Sequence, residues 1–349
     1  MLTNMNRAII IHGGGLVDPS KEVIRRIARG LSEKKVYDGI VLGSYSFMSL
    51  YNQSYWEKYD EKLDEKLENV RGPYFGTCRG IDLTEPRKME ASIRNLRQAG
   101  VSTVIVCGGD GSARNCAEIV QKFEEYCIHV IFAVPLTVDG INGGYSIGLD
   151  QARKEAVRQI ENIAATSLET RDNGEFSLVA VELQGRNRDD ILAAVLQHFW
   201  RQRRVADCEL GKINLKVVPT NYETNEEKLA EEINSSKERT LLLVSEGANL
   251  KVADLQSKTH RKVRTHVVGH AVQSNGMTTP EDMERYGEWL QDVVNLIAEI
   301  PNKSYSIVND GISRWREPLN YYANLNPREG KSAKLSVGLE ELIKQYMVI

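Results

Sequence analysis

Three times along this chain a short apolar run ends in a glycine-containing turn. The first run, Ala8-Ile9-Ile10-Ile11, leads into His12-Gly13-Gly14-Gly15, and a helical pattern follows over Lys21 to Ser32. The second, Thr103 to Cys107, leads into Gly108-Gly109-Asp110-Gly111-Ser112 and a helical pattern from Ala113 to Tyr126. The third, Leu241 to Val244, ends at Ser245-Glu246-Gly247. A run that is apolar at every position has no polar side to offer water. It predicts a strand covered on both faces, as in a parallel sheet. Parallel strands need crossover helices between them, which makes this an α/β chain. Further strands are predicted at Gly39–Leu42, Val130–Val134, Leu178–Leu183 and Ile213–Val218. Helices are predicted at Lys88–Ala99, Asp150–Thr166, Asp189–Arg203, Asn225–Ser235 and Glu281–Ile300. The charged stretch Ser54 to Asn69 reads as an exposed amphipathic helix or insertion without chemistry. A domain change is expected near Gly148-Leu149-Asp150.

In an open α/β sheet, ligands bind where strands end and helices begin. Glycines there let the backbone approach an anion, and the helix start offers N–H groups and a partial positive charge. Two such turns suit a ligand with several phosphates, although Gly-Gly after a strand also serves any tight turn. The second turn says more, because Asp110 lies inside it. A carboxylate beside a phosphate nest is repulsive unless a cation stands between, which points to Mg²⁺ at Asp110. The structural alternative is helix capping by Asp110 or Ser112, which explains one polar residue better than the whole string. The chain has no GxxxxGK[ST] and no well-placed GxGxxG, so a P-loop ATPase and a dinucleotide dehydrogenase are disfavoured.

With 349 residues the chain has room for about two domains. Its net charge of −3 is interspersed, so no nucleic-acid or membrane partner is expected and an anionic ligand must be met by local cations. Five cysteines (Cys78, Cys107, Cys116, Cys127, Cys208) form no CxxC pair and read as reduced thiols. The apolar run Ala8–Ile11 is too short for a signal peptide or a membrane span, and the expectation is a cytoplasmic protein.

More segments follow the glycine turns in a definite order. They are Tyr37-Asp38-Gly39, Phe75-Gly76-Thr77-Cys78-Arg79, Pro135-Leu136-Thr137-Val138-Asp139 and Tyr145-Ser146-Ile147-Gly148. The second half adds Val181-Glu182-Leu183-Gln184-Gly185-Arg186, Ser245-Glu246-Gly247 and Arg264 through Val268-Gly269-His270. Over about residues 8 to 290 this order resembles the ATP-dependent phosphofructokinase family. The Gly-Gly-Asp-Gly string is also similar to NAD kinases and diacylglycerol kinases, which are not expected to share the later segments.

The resemblance implies an α/β, phosphofructokinase-like fold of two Rossmann-like domains with mostly parallel sheets and flanking helices. It implies a larger nucleotide-binding domain over residues 1–149 plus about 275–349, and a smaller sugar-phosphate domain over 150–274. The implied reaction is transfer of the ATP γ-phosphoryl group to the 1-hydroxyl of fructose 6-phosphate, a step of glycolysis, with ATP and Mg²⁺ as cofactors. Gly13, Gly14, Arg79, Gly109, Asp110, Gly111 and Ser112 would line the nucleotide and metal site. Asp139 would be the general base with Thr137 beside it, and Arg186 and Arg79 would stabilise the transferring group. Gln184, Gly185, Glu246, Arg264 and His270 would complete the sugar-phosphate site. In the family the arginine matching Arg264 reaches in from a neighbouring subunit, so a homo-oligomer, tetramer or dimer, is implied. These roles suit phosphoryl transfer, which needs positioning, charge neutralisation and a carboxylate at the acceptor hydroxyl. Bland alternatives stand beside them: Asp139 as a turn residue, Arg186 paired with Asp189 or Asp190, His270 as a core histidine.

The chain departs from the family at several positions. Gly15 stands where the family has an aspartate, and Asp139-Gly140-Ile141 replaces Asp-Asn-Asp. Two arginines expected at the sugar 6-phosphate are missing, at Ser177 and among Gln273, Ser274 and Asn275, and Gln184 replaces a methionine. Each lost charged hydrogen bond costs about 1.5–3 kcal/mol. Pyrophosphate-using members usually carry an aspartate at Gly111 and a lysine at Leu136, so ATP is favoured as donor. The readings weighed are a sugar-phosphate kinase, a non-catalytic or regulatory binding homologue, and a lipid or NAD kinase.

Overall fold

The structure is a computed structural model and describes residues 6–14, 17, 19–70, 74–138, 146–172, 174–185, 189–203, 213–220, 223–269, 280–309, 314–319, 321 and 346. The chain divides into two compact units, Met1–Leu149 with Met277–Asn326 and Asp150–Gly276 with Pro327–Ile349.

The first unit runs β1 (Arg7–Gly13), α1 (Ser20–Glu33), β2 (Gly39–Gly43), α2 (Met48–Tyr51), β3 (Trp56–Lys58), α3 (Glu61–Asn69), α4 (Pro86–Gln98), β4 (Val101–Gly108), α5 (Asp110–Glu124), β5 (His129–Thr137) and β6 (Ile147–Gly148). Helix α6 (Leu149–Ser167) begins the second unit, with β7 (Arg171–Asp172), β8 (Glu175–Phe176), β9 (Leu178–Leu183), α7 (Asp190–Arg203), β10 (Asn214–Val218), α8 (Glu226–Ser235), β11 (Thr240–Ser245), α9 (Val252–Lys258) and β12 (Val263–Val268). The chain then returns to the first unit through α10 (Pro280–Glu299), β13 (Tyr305–Asn309) and β14 (Arg314–Glu317).

The first sheet has the order β14-β13-β5-β4-β1-β2-β3, with β6 paired to β5. Its interior pairings are parallel, and only the edge strands β3 and β14 run antiparallel to their neighbours. Successive strand residues point to opposite faces. Ile9, Ile11, Val104, Val106, Val130 and Phe132 therefore meet Ile93, Leu96, Ile119 and Phe123 of α4 and α5 in one core. Helices α1 and α10 pack together, close enough that a Cβ on Gly30 would stand 2.9 Å from Val294. Each fully buried branched or aromatic side chain contributes about 1.5–3 kcal/mol, which explains why the strands are apolar at every position.

One reading changes here. The stretch Ser54–Asn69 is a helix only from Glu61, because residues 56–58 pair with β2 as edge strand β3. Its leucines are covered too, Leu63 at 8% exposure and Leu67 at 0%. Asp64 and Glu68 draw in Arg25 from α1, so the segment is built into the unit. Tyr37-Asp38-Gly39 leads into β2, whose first residue is Gly39; Asp38 accepts from the Asn6 nitrogen and the Tyr37 hydroxyl donates to the Pro301 carbonyl. That is the end of the strands opposite the glycine turns.

The second unit carries a parallel sheet of order β10-β11-β9-β12. Leu178, Ala180, Val244 and Leu242 pack on Leu229, Ile233 and Leu255 of α8 and α9. Strand β12 lies at the edge and is only partly covered, which is why no apolar run marked it. Just before it, Arg261 is 3% exposed, and among the described residues no carboxylate bonds its guanidinium. Instead it donates to the carbonyls of Phe176, Ser177, Ile233, Ser236 and Glu238 and to the Thr240 hydroxyl. Burial pushes its pKa down, yet it remains charged. This fan of donors ties hairpin β7–β8 to the ends of α8 and the start of β11. A lysine cannot cover such a fan. Arg261→Lys is expected to destabilise the fold by about 2–4 kcal/mol, through carbonyls left unpaired, as read from urea unfolding midpoints.

Candidate active site

The glycine turns after β1 and β4 abut one another at the C-terminal end of the parallel strands. A Cβ on Gly14 would stand 3.6 Å from the Gly109 nitrogen, and Gly14 itself has φ +96°, a conformation that favours glycine. The Ser112 side chain fills the room that two glycines leave. A Cβ on Gly13 would lie 2.2 Å from Ser112 Oγ, and one on Gly108 would lie 2.3 Å from the Gly13 carbonyl oxygen. The Thr77 hydroxyl donates to the Gly14 carbonyl, which fixes the Phe75–Arg79 segment beside the first turn. Arg79 on that segment is exposed.

Helix α5 starts at Asp110, with Gly109 in the extended cap position and no side chain capping it. The Gly109 carbonyl accepts from the Ser112 and Ala113 nitrogens. Asp110 is thus the first helical residue and not the cap, so capping does not account for its place in the turn. Ser112 is only 4% exposed and packs beneath the glycines. Gly111 is exposed, and a Cβ there would meet nothing within 4 Å. From the end of β5, Thr137 packs against the cradle, 3.3 Å from where a Gly109 Cβ would stand. Gly13, Gly14, Gly109, Asp110, Gly111, Ser112 and Thr137 are therefore brought together in the first unit. Asp139 lies outside the described residues, as do Gly15 and Gly140–Ile141.

This cradle fits a polyphosphate: its backbone is bare, the N-terminus of α5 is at hand, and one carboxylate stands at that terminus. No cluster of three or more metal-ligating side chains occurs among the described residues. Mg²⁺ would accordingly be held by Asp110 together with phosphate oxygens and water, the usual arrangement for this ion.

The reading from sequence missed His12, which stands opposite Cys107 in the sheet directly before the first turn. It is 0% exposed and neither ring nitrogen has a hydrogen-bond partner among the described residues. Burial lowers its pKa from 6.5 to about 4, so the imidazole is neutral near pH 7. Cys107 is a free thiol that burial pushes up to about 12. Cys78, Cys116 and Cys127 are likewise free, and Cys208 lies outside the described residues.

In the second unit, β9 is followed by Gln184 and Gly185. Gly185 has φ +134°, and its nitrogen donates to Glu246 Oε2 at 3.2 Å. The Glu246 nitrogen donates to the Leu183 carbonyl, so Glu246 is exposed yet anchored. Behind it Asp189, 2% exposed, accepts from the Ser245 hydroxyl at 2.6 Å and the Thr220 nitrogen at 2.9 Å. Gln184 is buried, and its Oε1 has no partner among the described residues. Arg186 and His270 lie outside the described residues, as do Gln273–Asn275. Arg264 pairs with Val179 in the register, six positions before Gly185, on the order of 20 Å along the strand. It is not grouped with Glu246, and its side chain meets Asp172 and Ser177 instead. No helix among the described residues is long and apolar enough to cross a membrane.

Two outcomes are expected from these contacts. Gly108→Ala should lower stability by about 1–3 kcal/mol, because the new methyl meets backbone, whereas Gly111→Ala should fold normally; thermal melts compare them. An unfolded chain binds a proton at His12 below pH 6.5, whereas the folded one does so only near pH 4. Stability from this group is thus complete above pH 6.5 and is lost as pH falls, by about 1.4 kcal/mol per unit between the two values. Urea unfolding at pH 7.5 and pH 5 should show a smaller acid loss in His12→Leu than in the wild type.

Comparison with known proteins bears on this geometry. The family model described as phosphofructokinase matches residues 7–288. The chain is similar to an ATP-dependent 6-phosphofructokinase of Lysinibacillus sphaericus, 26% identical over 303 residues, covering 84% of this chain and 87% of that protein. A second such enzyme, of Staphylococcus carnosus, is 24% identical over 286 residues, covering 80% and 81%. Among solved structures, a pyrophosphate-dependent phosphofructokinase of Marinobacter aquaeolei superposes with TM-score 0.71 at 16% identity, over 99% of this chain and 92% of that one. Pichia pastoris phosphofructokinase gives TM-score 0.69 at 16% identity, over 98% of this chain, which spans 39% of the yeast chain.

Proposed function

The chain belongs to the phosphofructokinase family, and on that premise we propose that it transfers the γ-phosphoryl group of ATP to the 1-hydroxyl of fructose 6-phosphate or a closely related sugar phosphate. The observation that carries this reading is the double glycine cradle with Asp110 at its helix terminus and Thr137 against Gly109. Gly13, Gly14, Gly109, Gly111 and Ser112 line the donor phosphates, with Arg79 at the rim. Asp110 holds Mg²⁺, which when bound neutralises phosphate charge.

Asp139, two residues beyond Thr137, orients the acceptor hydroxyl and takes its proton as the new P–O bond forms. Arg186 keeps a fixed positive charge for the transferring group. Glu246, held by the Gly185 nitrogen, accepts hydrogen bonds from sugar hydroxyls, and His270 and Gln184 complete that site. The separation of Arg264 from Glu246 within one chain supports its service in a neighbouring copy of a homo-oligomer. Gly111 supports ATP over pyrophosphate as donor, since it faces open space. Leu136, 0% exposed, offers no charge to a pyrophosphate. A cytoplasmic setting fits these ligands.

Gly15, Gly140 and Ile141 favour a second reading, a non-catalytic or regulatory homologue that binds the same ligands. Turnover decides between them. The kinase reading expects Mg²⁺-dependent ADP release with fructose 6-phosphate and ATP, and little release when pyrophosphate replaces ATP. Asp139→Asn should cut kcat by about 10²–10⁴-fold with ATP binding largely kept. Calorimetric binding, with no ADP released from ATP in the presence of any sugar phosphate, would establish the second reading.

A further inference from the structure

Asp189 is a carboxylate that the proposed reaction does not use, and it is 2% exposed. It stands at the start of α7, where its carbonyl accepts from the Ala193 nitrogen at 2.7 Å. An aspartate in that place ordinarily turns its side chain onto the amides of its own helix. Here one oxygen, Oδ1, accepts both the Ser245 hydroxyl at 2.6 Å and the Thr220 nitrogen at 2.9 Å. Ser245 is the last residue of β11 and Thr220 follows the end of β10. One atom thus ties the ends of two strands to the start of a helix. The next residue, Asp190, faces a different partner, Arg153 of α6 at 2.9 Å.

These bonds meet at Glu246. Ser245 precedes it in the chain and stands opposite Leu183 in the sheet. The Glu246 nitrogen donates to the Leu183 carbonyl at 2.8 Å, and its Oε2 accepts from the Gly185 nitrogen at 3.2 Å. Thr220 returns to the same strand end, its hydroxyl donating to the Gly185 carbonyl at the longer distance of 3.5 Å. Gly185 and Asp189 are therefore held by the same neighbours, Thr220 and the Ser245–Glu246 pair. Glu246 itself is exposed, and an exposed glutamate has many rotamers open to it. The backbone beneath it restricts that choice. Ser245 is 3% exposed, so without Asp189 its hydroxyl and the Thr220 nitrogen would need new acceptors.

We propose that Asp189 is a positioning residue, which holds the Glu246 carboxylate on the Gly185 amide without touching a ligand itself. A turn that loses this acceptor can shift, and a small shift is enough to misplace a group that must meet a ligand. Where Glu246 serves the acceptor sugar, as proposed above, Asp189 governs acceptor affinity. The donor cradle belongs to the other unit and is not part of this network. Oxygen placement matters here more than charge. Both bonds end on Oδ1, and Oδ2 takes none among the described residues, so an amide oxygen in the same place can serve. The inference rests on the proposed function only in assigning Glu246 to the acceptor.

Hydrogen exchange at the Gly185 amide tests it, together with calorimetric titration of the full chain with fructose 6-phosphate and, separately, with ATP. Asp189→Ala should exchange the Gly185 amide about ten-fold faster and bind fructose 6-phosphate about ten-fold more weakly, with ATP affinity unchanged. Asp189→Asn should restore both to near the wild-type values. Ser245→Ala removes one of the two bonds from its other end. It should show the same pattern at about three-fold, and it serves as the test if Asp189→Ala does not fold. In a Glu246→Ala background, Asp189→Ala should bring no further loss of fructose 6-phosphate affinity. Unchanged Gly185 exchange in both Asp189→Ala and Ser245→Ala overturns the proposal, as does equal weakening of ATP and fructose 6-phosphate. Faster exchange with unmoved fructose 6-phosphate affinity upholds the positioning and removes Glu246 from the acceptor site. Neither measurement needs turnover, so a non-catalytic chain is tested equally well.

Discussion

The candidate donor site depends on one close approach, that of the turn after β1 to the turn after β4. Adjacent parallel strands end side by side, so their following turns must share space that a single Cβ would fill. Gly13 and Gly108 leave that space, and the Ser112 side chain takes it. The same contact sets where α5 begins and brings Gly109 against Thr137. One steric constraint thereby fixes the cradle, the helix terminus and the end of β5 together.

The cradle is bounded on the sheet side by His12, a polar ring held in apolar surroundings without hydrogen bonds among the described residues. Burial keeps it neutral, so it adds no charge next to the glycine turn. In the second unit the balance is reversed, because charge is carried by side chains. Arg261 shows an arginine used as a fixed structural hub. Arg264, three positions later, meets a carboxylate and a hydroxyl at a partly open edge. Burial and partner type separate a scaffold residue from one able to meet a ligand.

Much of the fold could be read along the chain. Strands β1, β4, β5, β9 and β11 were legible because each contains an apolar run covered on both faces. Of the edge strands only β10 was, at Ile213–Val218. Strand β12 is half exposed and carries Arg264, Thr265 and His266, while β3 and β14 hold a few residues each. Edge pairing follows from the neighbouring strand's free hydrogen-bonding groups more than from side-chain pattern. The helix at Glu61–Asn69 was legible in period but not in burial, since Leu63 and Leu67 are covered by the unit around them. Within the site, the glycines and Asp110 were visible as a string, whereas His12 gave no signal, being a single residue whose meaning lies in distant neighbours.

The sequence by itself determined the α/β class, the alternation of its buried strands with helices, and the family resemblance, because backbone burial and turn geometry impose local patterns on residue type. Tertiary structure decided which groups meet. Ser112 under two glycines, Thr137 against Gly109, and Asp189 on Ser245 and Thr220 join residues far apart in the chain. Such contacts arise from register between strands and from packing of one layer on another, and neither leaves a periodic trace in the sequence.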